Sequence, residues 1–92
     1  MLKLQSKDQR GLEFTLDKAQ LSLGRDGSND IVVDDRGVSG FHANIFFENG
    51  KVEVVDLGST NGTFHNGTKM HGTKLLQPGD RIQVGTTVIE AQ

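Results

Sequence analysis

The side chains of this chain that could do chemistry gather in short polar stretches, and each stretch can be held against the needs of its chemistry. Residues Gly62 to Lys69, "GTFHNGTK", approach the GxxxxGK[ST] loop that cradles a nucleotide phosphate with backbone amides and a lysine. Lysine and threonine stand in inverted order, and no helical pattern follows to aim an N-terminus at the anion. "GVSGF" around Ser39 resembles a nucleophile elbow, but Phe41 takes the place of the second glycine and the surroundings are not strand-turn-helix. "DGSND" from Asp26 opens like a calcium loop, yet Ile31 replaces the glycine at its sharp bend and Gly37 the closing glutamate. His42, His65 and His71 lack ligand spacing, so one is expected to support a loop and two to be solvated rather than to share a zinc ion. Asn61-Gly62-Thr63 and Asn66-Gly67-Thr68 match the glycosylation acceptor, but no secretion signal precedes them and turn chemistry explains both better. No enzyme and no cofactor or metal is expected from these motifs.

Three stretches remain: "LGR" at Leu23 to Arg25, "SGFHA" at Ser39 to Ala43, and "DLGSTNGT" at Asp56 to Thr63. Each lies where a strand pattern meets a loop pattern, so the strands must position them. Apolar residues recur at a spacing of two, as in Leu2 and Leu4, then Leu12, Phe14 and Leu16, then Leu21 and Leu23, which is the period of a strand with one buried face. Further β-prone runs cover Ile31 to Val33, Phe41 to Phe47, Lys51 to Leu57 and Arg81 to Ala91, with "SKDQRG" and "DKAQ" as turns between the early ones. No segment keeps a helical period. Asn49-Gly50 joins two of the runs, and this pair accepts the positive φ angles of a two-residue primed turn. Short strands, frequent turns and no intervening helices predict an all-β, two-sheet antiparallel sandwich with loops gathered at its ends.

Composition sets the outer bounds. The 92 residues suffice for one domain with one core, expected to span residues 1–92. Leu, Ile, Val and Phe make up about 28% of the chain, above the roughly 20% below which chains tend to stay disordered. Twelve glycines, one proline and no cysteine fit many tight turns and exclude disulfides. Ten basic against twelve acidic side chains leave a net charge of -2, so no broad positive field is present to hold nucleic acid or an anionic membrane, and any anion must be bound locally. The opening "MLKLQSKDQRGLEF" lacks the apolar run of a signal peptide, and no stretch approaches the eighteen or so apolar residues of a membrane span. A soluble, cytoplasmic protein is expected, with Met1 as a native start and "TTVIEAQ" as a complete last strand that closes the sandwich.

The order and separations of five blocks resemble the forkhead-associated (FHA) domain family. They are Gly24-Arg25, the acidic and apolar "NDIVVDD", Ser39 with His42 as S-x-x-H, "DLGSTNG", and "LLQPGDRIQVG". The resemblance covers nearly the whole chain. It implies about eleven strands in two twisted sheets, with binding loops at one end. It also implies a non-catalytic interaction module that recognises phosphothreonine in partner proteins, which are substrates or partners of Ser/Thr protein kinases, without nucleic acid, membrane or cofactor.

In this resemblance Arg25, Ser39 and Thr60 touch the phosphate. The chemistry suits them: a phosphate monoester carries about -1.5 to -2 charges and three strong acceptor oxygens, a guanidinium offers a planar permanent fork, and two short hydroxyls complete the donors. Asn61 falls on the same loop, where its amide can donate to and accept from the backbone beside the phosphorylated residue. His42 and Ser59 correspond to side chains that brace the loops. Gly24 is expected to permit close backbone packing beside Arg25, and Gly62 a turn angle closed to larger residues. A pocket for the threonine methyl would separate threonine from serine, and "DDRG" and "HNGTKMHG" would read residues beyond it. One position departs from the family: Gly40 stands where many members carry Arg, Lys or Asn. Three alternatives stay open: Arg36 reaches in from the preceding loop, the site binds weakly, or the domain keeps only phosphorylation-independent protein assembly.

Overall fold

The structure, a computed structural model, describes residues 3–6, 8 and 12–92. Leu2 and residues 7 and 9–11 of the first expected turn lie outside the described residues. Among the described residues there are eleven strands: β1 Lys3–Ser6, β2 Glu13–Thr15, β3 Gln20–Gly24, β4 Ile31–Val32, β5 Ala43–Glu48, β6 Lys51–Asp56, β7 Thr63–His65, β8 Thr68–Lys69, β9 Thr73–Leu76, β10 Arg81–Val84 and β11 Thr87–Ala91. One sheet has the order β2-β1-β11-β10-β7-β8, the other β4-β3-β5-β6-β9. The pairings are antiparallel apart from β3 with β4, which run parallel with Leu23 opposite Ile31.

The period of two decides which side chains enter the space between the sheets. Leu21 and Leu23 of β3, Ala43 and Ile45 of β5, and Val52 and Val54 of β6 face Leu4, Ile82, Val84, Ile89 and Ala91 of the other sheet, all buried. Each large aliphatic side chain so removed from water contributes about 1.5–3 kcal/mol. Two threonines, Thr63 and Thr87, are also fully buried, and both put their hydroxyls on carboxylates described below.

Three two-residue turns set the registers. Asn49 and Gly50 adopt φ 53° and 75° and pair Glu48 with Lys51, a type I′ hairpin. Asn66 and Gly67 do the same at φ 49° and 86°. Gly85, at φ 59°, turns the chain between Val84 and Thr87. The single run expected over Arg81 to Ala91 is therefore two strands, because the turn takes only Gly85 and Thr86 and leaves the β-prone pattern unbroken on both sides.

Strand directions sort the connections into two ends. The β3–β4, β4–β5 and β6–β7 loops and the Gly85-Thr86 turn share one end. The Asn49-Gly50 and Asn66-Gly67 turns, the Gln77–Asp80 turn and the mutually bonded Lys3 and Gln92 (N to O 3.0 and 2.7 Å) share the other. Only the first end brings the three polar stretches together.

Candidate functional site

The site begins with a backbone contact that glycine alone permits. A Cβ on Gly24 would stand 2.2 Å from the carbonyl oxygen of Gly40, so β3 and the β4–β5 loop touch where a side chain would force them apart. The two segments are laced there: Arg25 N donates to Ser39 O (3.0 Å), Asp26 N to Gly40 O (3.1 Å), and the buried Asn29 sends its Nδ2 to both Gly40 O (2.7 Å) and Asp26 O (2.8 Å). Arg25 thus leaves the sheet at a fixed point, and its side chain is exposed.

Ser39 joins the next loop to this frame. Its hydroxyl oxygen accepts the Thr60 N–H at 3.1 Å, while its own N–H donates to His42 Nδ1 at 3.1 Å. His42 is fully buried and puts Nε2 3.1 Å from Gly62 O. Since Nδ1 accepts, Nε2 carries the proton, and the imidazole is a neutral strut between the β4–β5 and β6–β7 loops. Gly62 itself sits at φ 84°, a conformation that L side chains rarely take.

Two carboxylates hold the loops from beneath. Asp56, at the end of β6, accepts from Ser59 Oγ (2.6 Å), Thr63 Oγ1 (2.7 Å), Gly58 N (3.0 Å) and Ser59 N (3.2 Å). Partial burial works against its ionisation, but the hydrogen bonds from Ser59, Thr63 and Gly58 outweigh that and keep it below the ordinary carboxylate range. Asp35 accepts from Gly37 N (2.8 Å) and, across the sandwich, from Thr87 Oγ1 (2.8 Å), Thr86 N (2.9 Å) and Thr86 Oγ1 (2.9 Å). The Gly37 amide and the Thr87 hydroxyl lead in holding its pKa down to about 2. Gly85 is required beside it, because a Cβ there would lie 2.6 Å from a carboxylate oxygen.

Arg25, Ser39, Thr60 and Asn61 therefore meet at one rim. Among the described residues the Arg25 guanidinium and the Thr60 hydroxyl have no hydrogen-bond or ionic partner, and the Ser39 O–H remains free to donate. Asn61 is partly engaged: its Nδ2 donates to Gly37 O at 2.9 Å, which leaves Oδ1 and one N–H for a ligand. Arg36 occupies the Asp35–Val38 turn, closed by Val38 N on Asp35 O at 3.0 Å, and is exposed without a side-chain partner among the described residues. Gly40 is exposed, has no positive φ, and a Cβ there would meet only Asp26 Cβ at 4.0 Å; its missing side chain answers no packing need.

His65 departs from the solvated state expected of it. Its Nε2 lies 2.9 Å from Asp80 Oδ2 at the opposite end of the sandwich, where Asn66 also bonds Asp80 (3.2 Å). His71 is exposed. Asn29 and Asp35 are structural members of the site that sequence patterns did not single out; the Asx signal at Asp35-x-Gly37 was present, but its partners lie 51 and 52 positions away. Among the described residues no group of three His, Cys, Asp or Glu is arranged to hold a metal ion. The rim presents the Arg25, Ser39 and Thr60 side-chain donors, unengaged among the described residues, together and suits an anion with several acceptors.

Known proteins carry the same architecture. A family model for the FHA domain matches residues 21–85. The chain is 43% identical over 75 residues to an oxoglutarate dehydrogenase inhibitor of Corynebacterium efficiens, covering 82% of this chain and 52% of that protein, so it spans about half the length of this curated relative. The crystal structure of the FhaA FHA domain complexed with the intracellular domain of Rv3910 is similar at a TM-score of 0.93 and 29% identity over 100% of both chains. A structure from work on phosphothreonine-dependent FHA domain interactions gives 0.92 and 30%, covering 99% of this chain and 94% of that one. Since the matched segment runs from β3 to Gly85 and contains Arg25, Ser39, Thr60 and Asn61, the chain belongs to the FHA domain family.

Proposed function

We propose that this domain, residues 1–92 as one unit, binds a phosphothreonine of a partner protein without catalysing a reaction on it. Arg25, Ser39 and Thr60 hold the phosphate, Asn61 holds the adjoining peptide backbone, and Arg36 and Gly40 border the site. His42, Ser59, Gly24 and Gly62 keep the loops in place. The observation that carries this is the bond from Thr60 N to Ser39 Oγ (3.1 Å): it uses an acceptor lone pair and leaves the hydroxyl proton for an outside acceptor, on a residue whose carbonyl is bonded by Arg25 N (3.0 Å), and the Arg25 guanidinium has no carboxylate partner among the described residues. The family includes a domain studied for phosphothreonine-dependent interactions and one seen with a protein partner, and the curated relative is named an inhibitor of an enzyme. These support a regulatory binding role; the proposal sets it in the cytoplasm, with a Ser/Thr kinase marking the partner. No helix among the described residues is long and apolar enough to cross a membrane.

A phosphothreonine peptide library, with phosphoserine and unphosphorylated counterparts, tests the proposal against wild type and Arg25→Ala. Wild type is expected to select phosphothreonine peptides. Arg25→Ala is expected to weaken them about ten- to hundredfold, the equivalent of one charged hydrogen-bond set. Binding that persists without the phosphate and without Arg25 would overturn the proposal in favour of phosphorylation-independent assembly.

A further inference from the structure

The β7–β8 hairpin brings a second, cationic feature to the recognition rim. β8 runs back from the Asn66-Gly67 turn toward Gly62, and Lys69 at its end folds across that glycine: an ideal Cβ on Gly62 would stand 2.7 Å from Lys69 Cε and 3.5 Å from Nζ. Gly62 directly follows Asn61, so the ammonium lies one residue from the candidate ligand contacts. Lys69, His71 and Lys74 line one groove that continues along the hairpin to His65. All three are exposed, and among the described residues none of their side chains has a hydrogen-bond or ionic partner. Lys3 and Lys18, by contrast, pair with Glu13 (3.0 Å) and Asp30 (3.2 Å).

The opposite flank has the other sign. Asp26 stands against Gly40, its Cβ 4.0 Å from where a Gly40 Cβ would be. Ser28, through its hydroxyl and its N–H, keeps the Asp26 carboxylate below the ordinary carboxylate range. A chain of net charge -2 thus carries unpaired positive charge on one side of the rim and fixed negative charge on the other. A bound segment advances about 3.3–3.6 Å per extended residue, so side chains a few positions from the anchored residue pass over one flank or the other.

From this juxtaposition, and resting on the phosphothreonine proposal above, we infer that Lys69 and Lys74 select partners whose bound segment carries Asp or Glu close to the phosphothreonine. The groove receives the carboxylates, and Asp26 turns them away from the other flank, so the two charges orient the segment as well as select it.

Fluorescence anisotropy with four phosphothreonine peptides tests this: neutral, acidic on the N-terminal side, acidic on the C-terminal side, and basic on the side that the acidic pair identifies. Exposed ion pairs are individually weak, so two lysines are expected to favour one acidic peptide over the neutral one by about fivefold at low salt, with the preference shrinking as salt rises. In Lys69→Gln/Lys74→Gln the ratio is expected to fall to about one. In Lys69→Glu the basic peptide is expected to overtake the acidic one. An acidic preference that persists in the double variant, or its absence in a wild type that binds the neutral peptide, overturns this inference alone. A wild type that binds none of the four, or binds them equally well after Arg25→Ala, overturns the phosphothreonine proposal with it.

Discussion

At the end of the sandwich that holds the chain termini, Asp80 gathers Gln77 N (2.9 Å), His65 Nε2 (2.9 Å) and Asn66 Nδ2 (3.2 Å), while Asn66 Oδ1 takes Arg81 N (2.8 Å). At the other end, Asp35 and Asp56 do similar work for the loops but take their donors from Gly37, Gly58, Ser59, Thr63, Thr86 and Thr87. None of these is Arg25 or Thr60, and neither carboxylate uses the Ser39 hydroxyl. Both ends are built from Asp, Asn, His and glycine turns. They differ in what the carboxylates leave over. At the rim Asp35 and Asp56 serve the scaffold, reach only the supporting donors and leave the Arg25, Ser39 and Thr60 side-chain donors unengaged among the described residues, with Asp26 exposed on one flank.

His42→Ala breaks this contrast from beneath and carries the largest expected effect. The substitution empties a fully buried site and strips Ser39 N and Gly62 O of their partners. A cavity plus two unpaired buried groups are expected to cost about 3–4 kcal/mol by chemical denaturation. Phosphopeptide binding should fall as well, although the imidazole touches no ligand. Loss of stability with unchanged peptide affinity in the folded fraction would separate the strut from the site.

Gly40→Arg sharpens the contrast by adding one more unengaged donor to the rim. The position has open space and an ordinary φ, so stability should hold within about 0.5 kcal/mol. The phosphothreonine peptide should bind about tenfold tighter by calorimetry. A side chain that is accommodated yet leaves affinity unchanged would place the phosphate away from Gly40.

The smallest effect concerns the far end alone. The backbone amide of Gln77 and the His65 ring hold Asp80 down to a pKa of about 2, below the ordinary 3.8. A carboxylate depressed in the folded state stabilises it above its unfolded pKa and loses that contribution as pH falls through the folded one. Stability should therefore decline between about pH 4 and pH 2, and Asp80→Asn should flatten part of that decline. Asp35, with the same depression, and Asp26, Asp30 and Asp56, also held below their ordinary values, contribute to the rest. An acid profile identical in Asp80→Asn and wild type would remove Asp80 from this account.

The strands were legible because their cause is local. The spacing of Leu21 and Leu23, and the Asn49-Gly50 pair, act through period and φ alone. A strand of two residues such as β8 is shorter than any period, and the Gly85-Thr86 turn hides because Val84 and Thr87 continue the buried pattern on either side. At the rim, the motif resemblance pointed to Arg25, Ser39, Thr60 and Asn61, which stand on three separate connections. Asp35 and Asn29 were not singled out, since beyond their local bonds to Gly37 N and Asp26 O their partners are backbone and hydroxyl groups that only the assembled sandwich brings near. The pairing of His65 with Asp80 escaped for the same reason: fifteen positions separate them, and no period links them.

The bonded pair of Lys3 and Gln92 has a practical bearing. Both ends of the described chain leave from the pole opposite the rim of Arg25, Ser39 and Thr60, in a body 32 × 27 × 22 Å across. A fluorophore, an affinity handle or a sensor surface joined at the C-terminus would face away from an arriving peptide, so surface-attached and free-solution titrations of this domain should return the same dissociation constant.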